Sequence, residues 1–573
     1  MKKLYMFLLL LGAFLPPKLA AADNSIIISH QAPKHEVRAV WLTTLGGRDW
    51  PRTYSQSPFS AKKQQTELCQ ILDRLQEAKI NTVLLQTRIR GTMIYPSSLE
   101  PWDGCLSGHP GRTPGYDALQ FAIDECHKRG MELHAWVVTI PVGRWDALGC
   151  KSLRRKFPKL IQKIGGEGYM NPEDSRTGTY LAKICSEITD KYNIDGIHLD
   201  YIRYPETWNF KVSREQGRRY ITHIVKKIHD AVKSQKPWVK LSCSPVGKFD
   251  DLTRYGSYGW NANTKGCQDA QGWMRDGLMD ELFPMMYFKD EHFYPFAIDW
   301  QEQSHGKIVA PGLGIYFLDP KEGKWKLDDV IPEMYLTRNM GMGYCFFRNK
   351  FLLDNKQGIL DFTRRFNDYP SLVPPMTWAS SKTPKQPEGF DIKWRQGYME
   401  LTWNNATYTD GTRISTPYIY NNVYASRTYP VDVTDARNLI SARQLGNRLL
   451  LKPEENEKPL YFAITSMDGY GIESSATQEK SSDVLHNKHA QGAAKLLYCD
   501  GKRVHLPEIT KNLDTNVFLV ETLQGSTVSR ASAQGNYVNI TSLDYGVYRL
   551  YSVNKRGIRH TLGTFFKKKF KEN

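Results

Sequence analysis

The fold of the first half of the chain is decided by the stretch Asn193-Ile194-Asp195-Gly196-Ile197-His198-Leu199-Asp200-Tyr201-Ile202-Arg203-Tyr204-Pro205. It opens with an Asp-Gly turn, continues as a short apolar run and ends on the carboxylate of Asp200. Buried parallel strands are short apolar runs of this kind between turn signals. In barrels of alternating strands and helices, the chemistry lies at the carboxyl ends of the strands. The rest of the chain can therefore be tested against a barrel register in which one strand ends at Asp200.

Further runs of the same type surround this stretch between about residues 36 and 350. The predicted strands are 37–43, 82–87, 132–139, 196–201, 240–244, 282–287, 308–314 and 342–347. Amphipathic segments between them predict helices, for example at 61–78, 116–129, 177–191 and 214–235. This alternation indicates parallel strands with crossover helices. It favours a (β/α)8 barrel of the TIM type, which we assign to residues 34–368.

The sequence changes in character after Asp368. Proline-containing segments between 369 and 384 indicate a linker, and a polar run at 480–489 indicates a second one. Residues 385–478 contain short alternating strands separated by Gly, Asn and Asp turns, which predicts a β-sandwich. Residues 493–573 predict a further small β domain. The expected fold class is α/β, a (β/α)8 barrel followed by two small all-β domains.

The first 22 residues have the organisation of a secretory signal peptide. Lys2 and Lys3 precede the apolar stretch Leu4–Leu15, which is too short to span a membrane, and Ala20-Ala21-Ala22 is typical of a cleavage site. No later run is apolar and long enough to predict a transmembrane segment. We therefore expect secretion across the inner membrane, to the periplasm or the cell surface, and the sequence does not distinguish these two locations. The oligomeric state is not predicted.

Composition argues against several kinds of partner. The net charge is +17, but the only dense basic cluster is Lys567-Lys568-Lys569-Phe570-Lys571, and no nucleic-acid-binding module accompanies it. We expect no nucleic-acid partner; for an exported basic protein we expect contact with acidic envelope polymers instead. The nine cysteines contain no CxxC pair, so neither a metal site nor a cofactor is predicted. Cys105 and Cys150 are one candidate pair for a disulfide bond between loops.

Several motifs occur in the first domain in a consistent order and spacing. They lie at residues 36–41, 81–88, 95–97, 115–119, 127–130, 132–136, 171–172 and 195–205. Through them, residues 34–350 resemble the glycosyl-hydrolase-10-like family of bacterial envelope proteins, which includes peptidoglycan glycan hydrolases. The resemblance implies a TIM-type barrel that hydrolyses glycosidic bonds of an envelope or other polysaccharide, with peptidoglycan glycan strands as the best-supported substrate class. Residues 385–478 resemble a fibronectin type III module.

Two positions depart from the family pattern. Similar proteins often carry Pro-Gln-x-Tyr-Trp on the sixth strand, where this chain has Pro284-Met285-Met286-Tyr287-Phe288. They often have a second acid after the Asp of the fourth strand, where this chain has Tyr201. Both departures favour altered specificity or lost activity. Two alternatives are open: a catalytically inactive glycan-binding protein, and an envelope scaffold in which the two β domains bind partners and the barrel is vestigial.

Most glycoside hydrolysis uses two carboxyl groups. Asp200 is the first, and we expect Arg203 to keep it ionised because a nearby cation lowers the pKa of a carboxyl group. This suits a nucleophile or a stabiliser of positive charge better than a proton donor. The second carboxyl group is not identified. Its candidates lie in the loops after strands four, five and six, namely Glu206, Asp250, Asp251, Asp290 and Glu291. Linkage and stereochemical outcome are not predicted.

Substrate-binding residues are expected near the same ends of the strands. Sugar sites combine aromatic rings with planar hydrogen-bonding groups, and a guanidinium group suits a carboxylate-bearing sugar. The predicted substrate-binding residues are Arg88, Tyr95, His134, Trp136, Arg203 and Tyr287. Three other positions receive structural assignments: His198 as a core residue, Asp195 as a structural acid and His127 as an exposed helix residue.

Overall fold

The computed structural model describes residues 32–395, 398–404, 406–408, 419–452, 460–477, 480–481, 496–506, 517–522, 526–553 and 559–567. The predicted signal peptide and most of the predicted linker at 480–489 lie outside the described residues. None of the helices in the described ranges combines the length and apolar character needed to cross a membrane.

Residues 38–346 form a closed barrel of parallel strands, which confirms the predicted (β/α)8 fold. Its strands are β1 (Arg38–Leu42), β2 (Thr82–Ile89), β3 (Glu132–Val138), β4 (Gly196–Asp200), β5 (Lys240–Cys243), β6 (Glu281–Leu282 with Met285–Met286), β7 (Ile308–Val309 with Gly312–Leu313) and β8 (Tyr344–Phe346). Pairing of Arg38 with Tyr344 joins β8 to β1 and closes the barrel. Pro284 and Pro311 stand where β6 and β7 are interrupted, because proline has no N–H to donate to a strand ladder.

Helices follow the strands and surround the barrel. The main ones are α1 (Pro58–Glu77), α2 (Ala118–His127), α3 (Ser175–Lys191), α4 (Arg214–Lys233), α5 (Ala270–Arg275), α6 (Tyr294–Glu302), α7 (Leu327–Asn339) and α8 (Ile359–Phe366). Additional helices cover Gly104–Ser107, Leu148–Lys156 and Asn349–Leu353, and 3-10 turns cover Leu45–Gly47, Thr253–Tyr255, Asp290–His292, Ile315–Leu318 and Lys356–Gly358. Side chains of Ser57, Asp117, Asp174 and Ser213 accept hydrogen bonds from backbone N–H groups where α1 to α4 begin. The buried helix faces and the strands share one continuous hydrophobic core.

An insertion after β3 builds up one side of the barrel at the carboxyl ends of the strands. Strands Pro141–Arg144, Ile161–Ile164 and Glu167–Met170 form a small antiparallel sheet, with the last of them in the centre. Beside it, Thr92–Met93 turns back onto the end of β2. Together these segments raise a wall above the strand ends.

The described residues between 388 and 481 form two antiparallel sheets. One contains Glu388–Arg395, Tyr398–Asn404 and Arg448–Leu451, and the other contains Tyr420–Ser426, Leu439–Leu445, Tyr461–Met467 and Lys480–Ser481. Phe390 and Leu401 of the first sheet share a core with Val423 and Phe462 of the second, so the unit is a β-sandwich. Its assignment to the fibronectin type III type stays a prediction.

The described residues between 503 and 567 form one antiparallel sheet. Its strands are Arg503–His505, Val517–Thr522, Thr527–Gln534, Tyr537–Asn539, Gly546–Val553 and Arg559–Lys567. Aliphatic and aromatic residues on one side of this sheet form a separate small core. The C-terminal region is therefore all-β, as the sequence predicts.

The sandwich packs against the barrel at the amino ends of the strands. Arg443, on the strand Leu439–Leu445, reaches Glu132 of β3 at 3.1 Å and Asp195, which precedes β4, at 2.5 Å. His127 Nε2 lies 2.8 Å from the other oxygen of Asp195. His127 is therefore buried, and the expectation that it is exposed is wrong, because the barrel acid and the sandwich cover this end of α2.

Candidate active site

A cleft of about 390 Å³ opens at the carboxyl ends of the barrel strands. It contains side chains that follow several strands and side chains from the inserted sheet. The lining residues are Thr43, Leu45, Arg48, Gln86, Ile89, Arg90, Trp136, Val138, Pro141, Gly143, Glu167, Gly168, Tyr169, Asp200, Tyr201, Glu206, Met285, Tyr287, Phe347 and Arg348. Strand ends of a (β/α)8 barrel are where catalytic groups lie, so this cleft is the candidate active site.

Asp200 is held in the cleft by three hydrogen bonds. Oδ2 accepts a bond from Trp136 Nε1 at 3.1 Å, while Oδ1 accepts bonds from Ser244 Oγ at 2.9 Å and from the Tyr201 backbone N–H at 2.7 Å. These donors come from β3, from the residue after β5 and from the chain directly after β4. The carboxylate is therefore fixed in orientation by three parts of the barrel.

The electrostatics of Asp200 differ from the expectation. Burial raises the pKa of Asp200 above its ordinary value, and the hydrogen bonds from Ser244 and Trp136 and the charge of Arg203 offset this only in part. Arg203 instead pairs with Glu206 at 2.8 Å and lies over the Tyr201 ring at 4.1 Å. Arg203 lowers the pKa of Asp200 as predicted, but removal from water outweighs the guanidinium, so the net direction is upward.

Aromatic side chains form part of the wall around Asp200. Trp136 is only 5% exposed and directs its indole N–H to the carboxylate. The Tyr287 ring lies 5.3 Å from Phe347, centroid to centroid, and both line the cleft. Burial raises the pKa of Tyr287, so its phenol is neutral and can donate a hydrogen bond. Trp136 and Tyr287 thus line the cleft, at the strand ends where the sequence predicts them.

Two further acids line the same cleft. Glu167 belongs to the inserted sheet and is half-buried, whereas Glu206 follows β4 and is exposed. Burial opposes the charge of Glu206, but the hydrogen bond and charge of Arg203 outweigh it and lower the pKa of Glu206. The cleft therefore contains three carboxyl groups in different environments, and burial raises the pKa of Asp200.

The other predicted proton donors lie elsewhere. Asp250 accepts hydrogen bonds from Asn261 at 3.2 Å and Asn263 at 2.8 Å, so it holds together the loop after β5. Asp290 and Glu291 are exposed on a 3-10 turn before α6. None of these three acids contributes to the cleft lining, and neither does Asp251 of the same loop.

Three predicted substrate-binding residues are also away from the cleft. Arg88 is fully buried and forms a bidentate ion pair with Glu100, with the closest approach at 2.6 Å. The Tyr95 hydroxyl donates to Glu187 at 2.8 Å. His134 lies inside the barrel, 3.0 Å from Glu132. Tyr95 lies beyond the strand Thr92–Met93, and His134 shares a face of β3 with Trp136 but lies nearer the amino end of that strand. Arg203 is 3% exposed and positions Glu206 instead of facing the cleft itself.

Two functional candidates were missed by the sequence reading. Arg48 and Arg90 are exposed, line the cleft, and have no side-chain hydrogen bond or ion pair to the described residues. Arg90 has a left-handed backbone (φ 58°) in the Arg-Gly turn after β2, where a non-glycine residue is strained. The Arg90-Gly91 pair directly after an apolar run was the available signal. Arg348 also lines the cleft but is paired with Asp49.

The structure also resolves the remaining assignments. His198 is fully buried between Trp41 and Ser242, which confirms it as a core residue. Cys105 and Cys150 are both free thiols, so the candidate disulfide bond is absent. The described residues contain no group of three or more His, Cys, Asp or Glu side chains arranged to hold a metal ion.

The chain is similar in sequence to known glycosyl hydrolases. A family model described as "Glycosyl hydrolase-like 10" matches residues 36–216 and 208–317. The chain is 28% identical over 397 residues to glycosyl hydrolase YngK of Bacillus subtilis strain 168, covering 62% of this chain and 76% of that protein. It is 29% identical over 352 residues to glycosyl hydrolase DigH of Escherichia coli K12, covering 53% and 79%. A solved structure of the PgaB glycoside hydrolase domain from Bordetella bronchiseptica covers 57% of this chain and 98% of that one, with 12% identity and a TM-score of 0.40.

Proposed function

We propose that this protein cleaves an acidic polysaccharide of the bacterial envelope. Through residues 36–317 the chain belongs to the glycosyl hydrolase-like 10 family, and it is a glycoside hydrolase. Peptidoglycan glycan strands are the proposed substrate. The predicted signal peptide at residues 1–22 supports export to the compartment where such a polymer lies.

The observation that carries the catalytic part of the proposal is Asp200. It stands at the carboxyl end of β4, lines the cleft and is oriented by three donated hydrogen bonds. Those bonds favour its ionised form, while burial makes a negative charge there more responsive to a nearby positive charge. Asp200 is therefore suited to face the positive charge that develops at the anomeric carbon.

Glu167 is the proposed proton donor. Glu206 is a weaker choice because Arg203 pairs with it and favours its charged form. In the proposed reaction, Glu167 gives its proton to the glycosidic oxygen while the bond from that oxygen to the anomeric carbon breaks. Asp200 stabilises the positive carbon, and water then adds to it and returns a proton to Glu167. One bond is hydrolysed and both acids regain their starting states.

The preference for an acidic glycan is inferred from Arg48 and Arg90. Both guanidinium groups are in the cleft without an acidic partner among the described residues. A guanidinium group forms paired hydrogen bonds with a carboxylate, as the lactyl group of muramic acid would offer. Arg48 and Arg90 thus take the carboxylate-binding role that the sequence suggests for Arg88.

A reducing-sugar assay on purified glycan strands tests the proposed activity. The wild-type chain should release reducing ends, and Asp200→Asn should not. Binding of the strands without release by the wild type would instead favour the alternative of an inactive glycan-binding protein.

The choice of proton donor is tested with two substrates. An aryl glycoside with an acidic phenol leaving group needs little protonation, so Glu167→Gln should cleave it far better than it cleaves a natural glycan. Asp200→Asn should be impaired on both substrates. If Glu206→Gln shows the selective rescue instead, the donor is Glu206.

The acidic preference is tested with glycan strands before and after chemical reduction of their carboxylates. Arg90→Lys should weaken cleavage of the untreated strands more than that of the reduced strands, because Lys keeps the charge but loses the planar fork. The matched control is Arg144→Lys, since Arg144 is exposed on the inserted sheet and does not line the cleft. Equal losses on both substrates would remove the carboxylate argument.

A further inference from the structure

The loop between β5 and α5 exposes an unusual group of aromatic side chains. Tyr255 is 46% exposed, Tyr258 is 62% exposed and Trp260 is 39% exposed, all within six residues. Leaving large rings in water forgoes the free energy of burying them. A cluster of exposed rings on one segment marks a binding surface more often than rings that are scattered singly.

Side-chain hydrogen bonds give this loop a defined shape. Asp250 accepts bonds from Asn261 and Asn263, and Asp251 accepts one from the Gly259 N–H at 3.0 Å. Asn261 is fully buried, and its side-chain Oδ1 accepts a hydrogen bond from the Thr264 backbone N–H at 2.8 Å. The rings are therefore presented from a braced scaffold, which lowers the entropy cost of binding to them.

The same loop is also held against helix α6. Lys248 Nζ donates to the Tyr258 carbonyl at 3.1 Å and lies over the Phe296 ring at 4.9 Å. Trp300 of α6 donates to the Gly247 carbonyl at 2.7 Å. The segment that carries Tyr258 is thus tied to the barrel and not only to itself.

The loop adjoins the Glu206 side of the cleft. It follows β5 at the carboxyl ends of the strands, where Asp200 also lies. Its Gly266 carbonyl accepts a hydrogen bond from the Tyr204 N–H at 3.0 Å. Tyr204 lies two residues before the cleft acid Glu206, so the aromatic loop is hydrogen-bonded to the loop that carries this acid.

We propose that Tyr258 and Trp260, with Tyr255 beside them, form an outer glycan-binding platform that holds sugar units of the substrate beyond the cleft. The proposal rests on the proposed function, because its ligand is the same polysaccharide. The occupant follows from the chemistry: the C–H face of a sugar ring packs against an aromatic face, and its hydroxyl groups stay in water. A cleft of about 390 Å³ is near the lower end for small-ligand sites, so a polymer must continue outside it.

Calorimetric titration with glycan oligomers of different lengths tests the platform. Each protein carries Asp200→Asn, and the ligands are a disaccharide and an octasaccharide prepared from peptide-free glycan strands. Tyr258→Ala with Trp260→Ala should weaken octasaccharide binding about ten-fold, the scale of losing two aromatic contacts, and leave disaccharide binding unchanged. Tyr398→Ala is the matched control, because Tyr398 is similarly exposed (44%) but lies on the sandwich.

The outcomes separate the platform from the proposed function. Cleavage by the wild type with no change in the length preference of the double variant overturns the platform alone. Loss of the length preference supports the platform, even if the wild type proves unable to cleave. No binding of either oligomer overturns both. A change in sedimentation of the double variant without a change in glycan binding would make the rings a contact between protein copies and overturn the glycan platform.

Discussion

Asp195 and Asp200 stand at opposite ends of β4, and the barrel gives them opposite properties. Burial disfavours the charge of both acids. At Asp195 the His127 ring and the Arg443 guanidinium outweigh burial and lower the pKa. At Asp200 the neutral donors Ser244 and Trp136 do not, and the pKa is raised. The same residue type is therefore locked as an anion at the amino ends of the strands and left reactive at the carboxyl ends.

The difference lies in what covers each end of the barrel. The sandwich closes the amino ends, where Arg443, Glu132 and Lys240 form a dry ion-pair network with Asp195. The carboxyl ends stay open, and their cationic side chains Arg48 and Arg90 are not committed to Asp200. Paired charges in a closed region hold domains together, whereas unpaired charges in an open cleft are available to a substrate.

The largest effect is expected from removing the Arg443 guanidinium group, which the sandwich contributes to the buried ion-pair network. Arg443→Ala leaves Glu132 and Asp195 buried without this partner, so unfolding should require about 3–5 kcal/mol less free energy, the cost of breaking a buried pair. Urea denaturation provides the measurement. The matched control is Arg448→Ala, whose pair with Glu400 is largely exposed on the arginine side and should cost only about 0–1 kcal/mol. Similar small losses in both variants would show that the closed end is not stabilised by Arg443.

The next effect concerns the open end. Asp200→Asn should fold normally and lose on the order of 10² or more in kcat, as removal of a main electrostatic stabiliser does. Steady-state kinetics on glycan strands measures the loss, and far-UV circular dichroism measures the fold. Near-full activity, or failure to fold, would contradict the role given to Asp200.

A third prediction uses Glu281, a fully buried acid of β6 at the closed end. Burial raises its pKa to about 7, so the folded protein keeps a proton that the unfolded chain loses above its ordinary value of 4.5. The folded state binds more protons, so the contribution of Glu281 to stability falls as pH rises from about 4.5 to 7 and then stays constant.

Glu281→Gln removes that pH-dependent penalty. It should stabilise the protein by about 1–3 kcal/mol at pH 8 and have little effect at pH 4, measured by urea denaturation at both pH values. Glu291→Gln is the control, since that acid is 80% exposed. A stabilisation that is equal at pH 4 and pH 8 would mean that Glu281 is not held protonated.

The smallest effect tests how Asp200 is tuned. The Trp136 N–H bond lowers the pKa of Asp200, so Trp136→Phe should raise that pKa further. If Asp200 works in its ionised form, the acid limb of the kcat/KM profile should move to higher pH by about half a unit to one unit. Ser244→Ala should move it the same way. A shift to lower pH would mean that the protonated form of Asp200 is the active one.

Most of the fold could be predicted because local patterns and burial agree along the barrel. The predicted strands all contain or overlap an observed strand, and α1 to α4 begin within three residues of their predicted positions. The strand Leu439–Leu445 was missed because its buried and exposed positions do not alternate cleanly. That strand carries Arg443, so the contact between the two domains was missed with it.

The candidate site was predictable only in part. Asp200, Trp136 and Tyr287 line the cleft because they are at or after strand ends and point toward it. Arg88 comes just as close along the chain, yet its side chain turns to Glu100 inside the protein. Sequence patterns give the end of the barrel at which a residue lies, but the pairing of charges depends on segments that are distant in the chain.

The sequence by itself determined the alternation of strands and helices, the all-β character of the C-terminal region and the position of Asp200 at a strand end. These follow from local periodicity and turn residues, which act over a few positions. Only the tertiary structure decided which acid is paired and which is left reactive. The partners Arg443 and Asp195 are 248 residues apart, and the effect of burial on a carboxyl group depends on the chain that surrounds it.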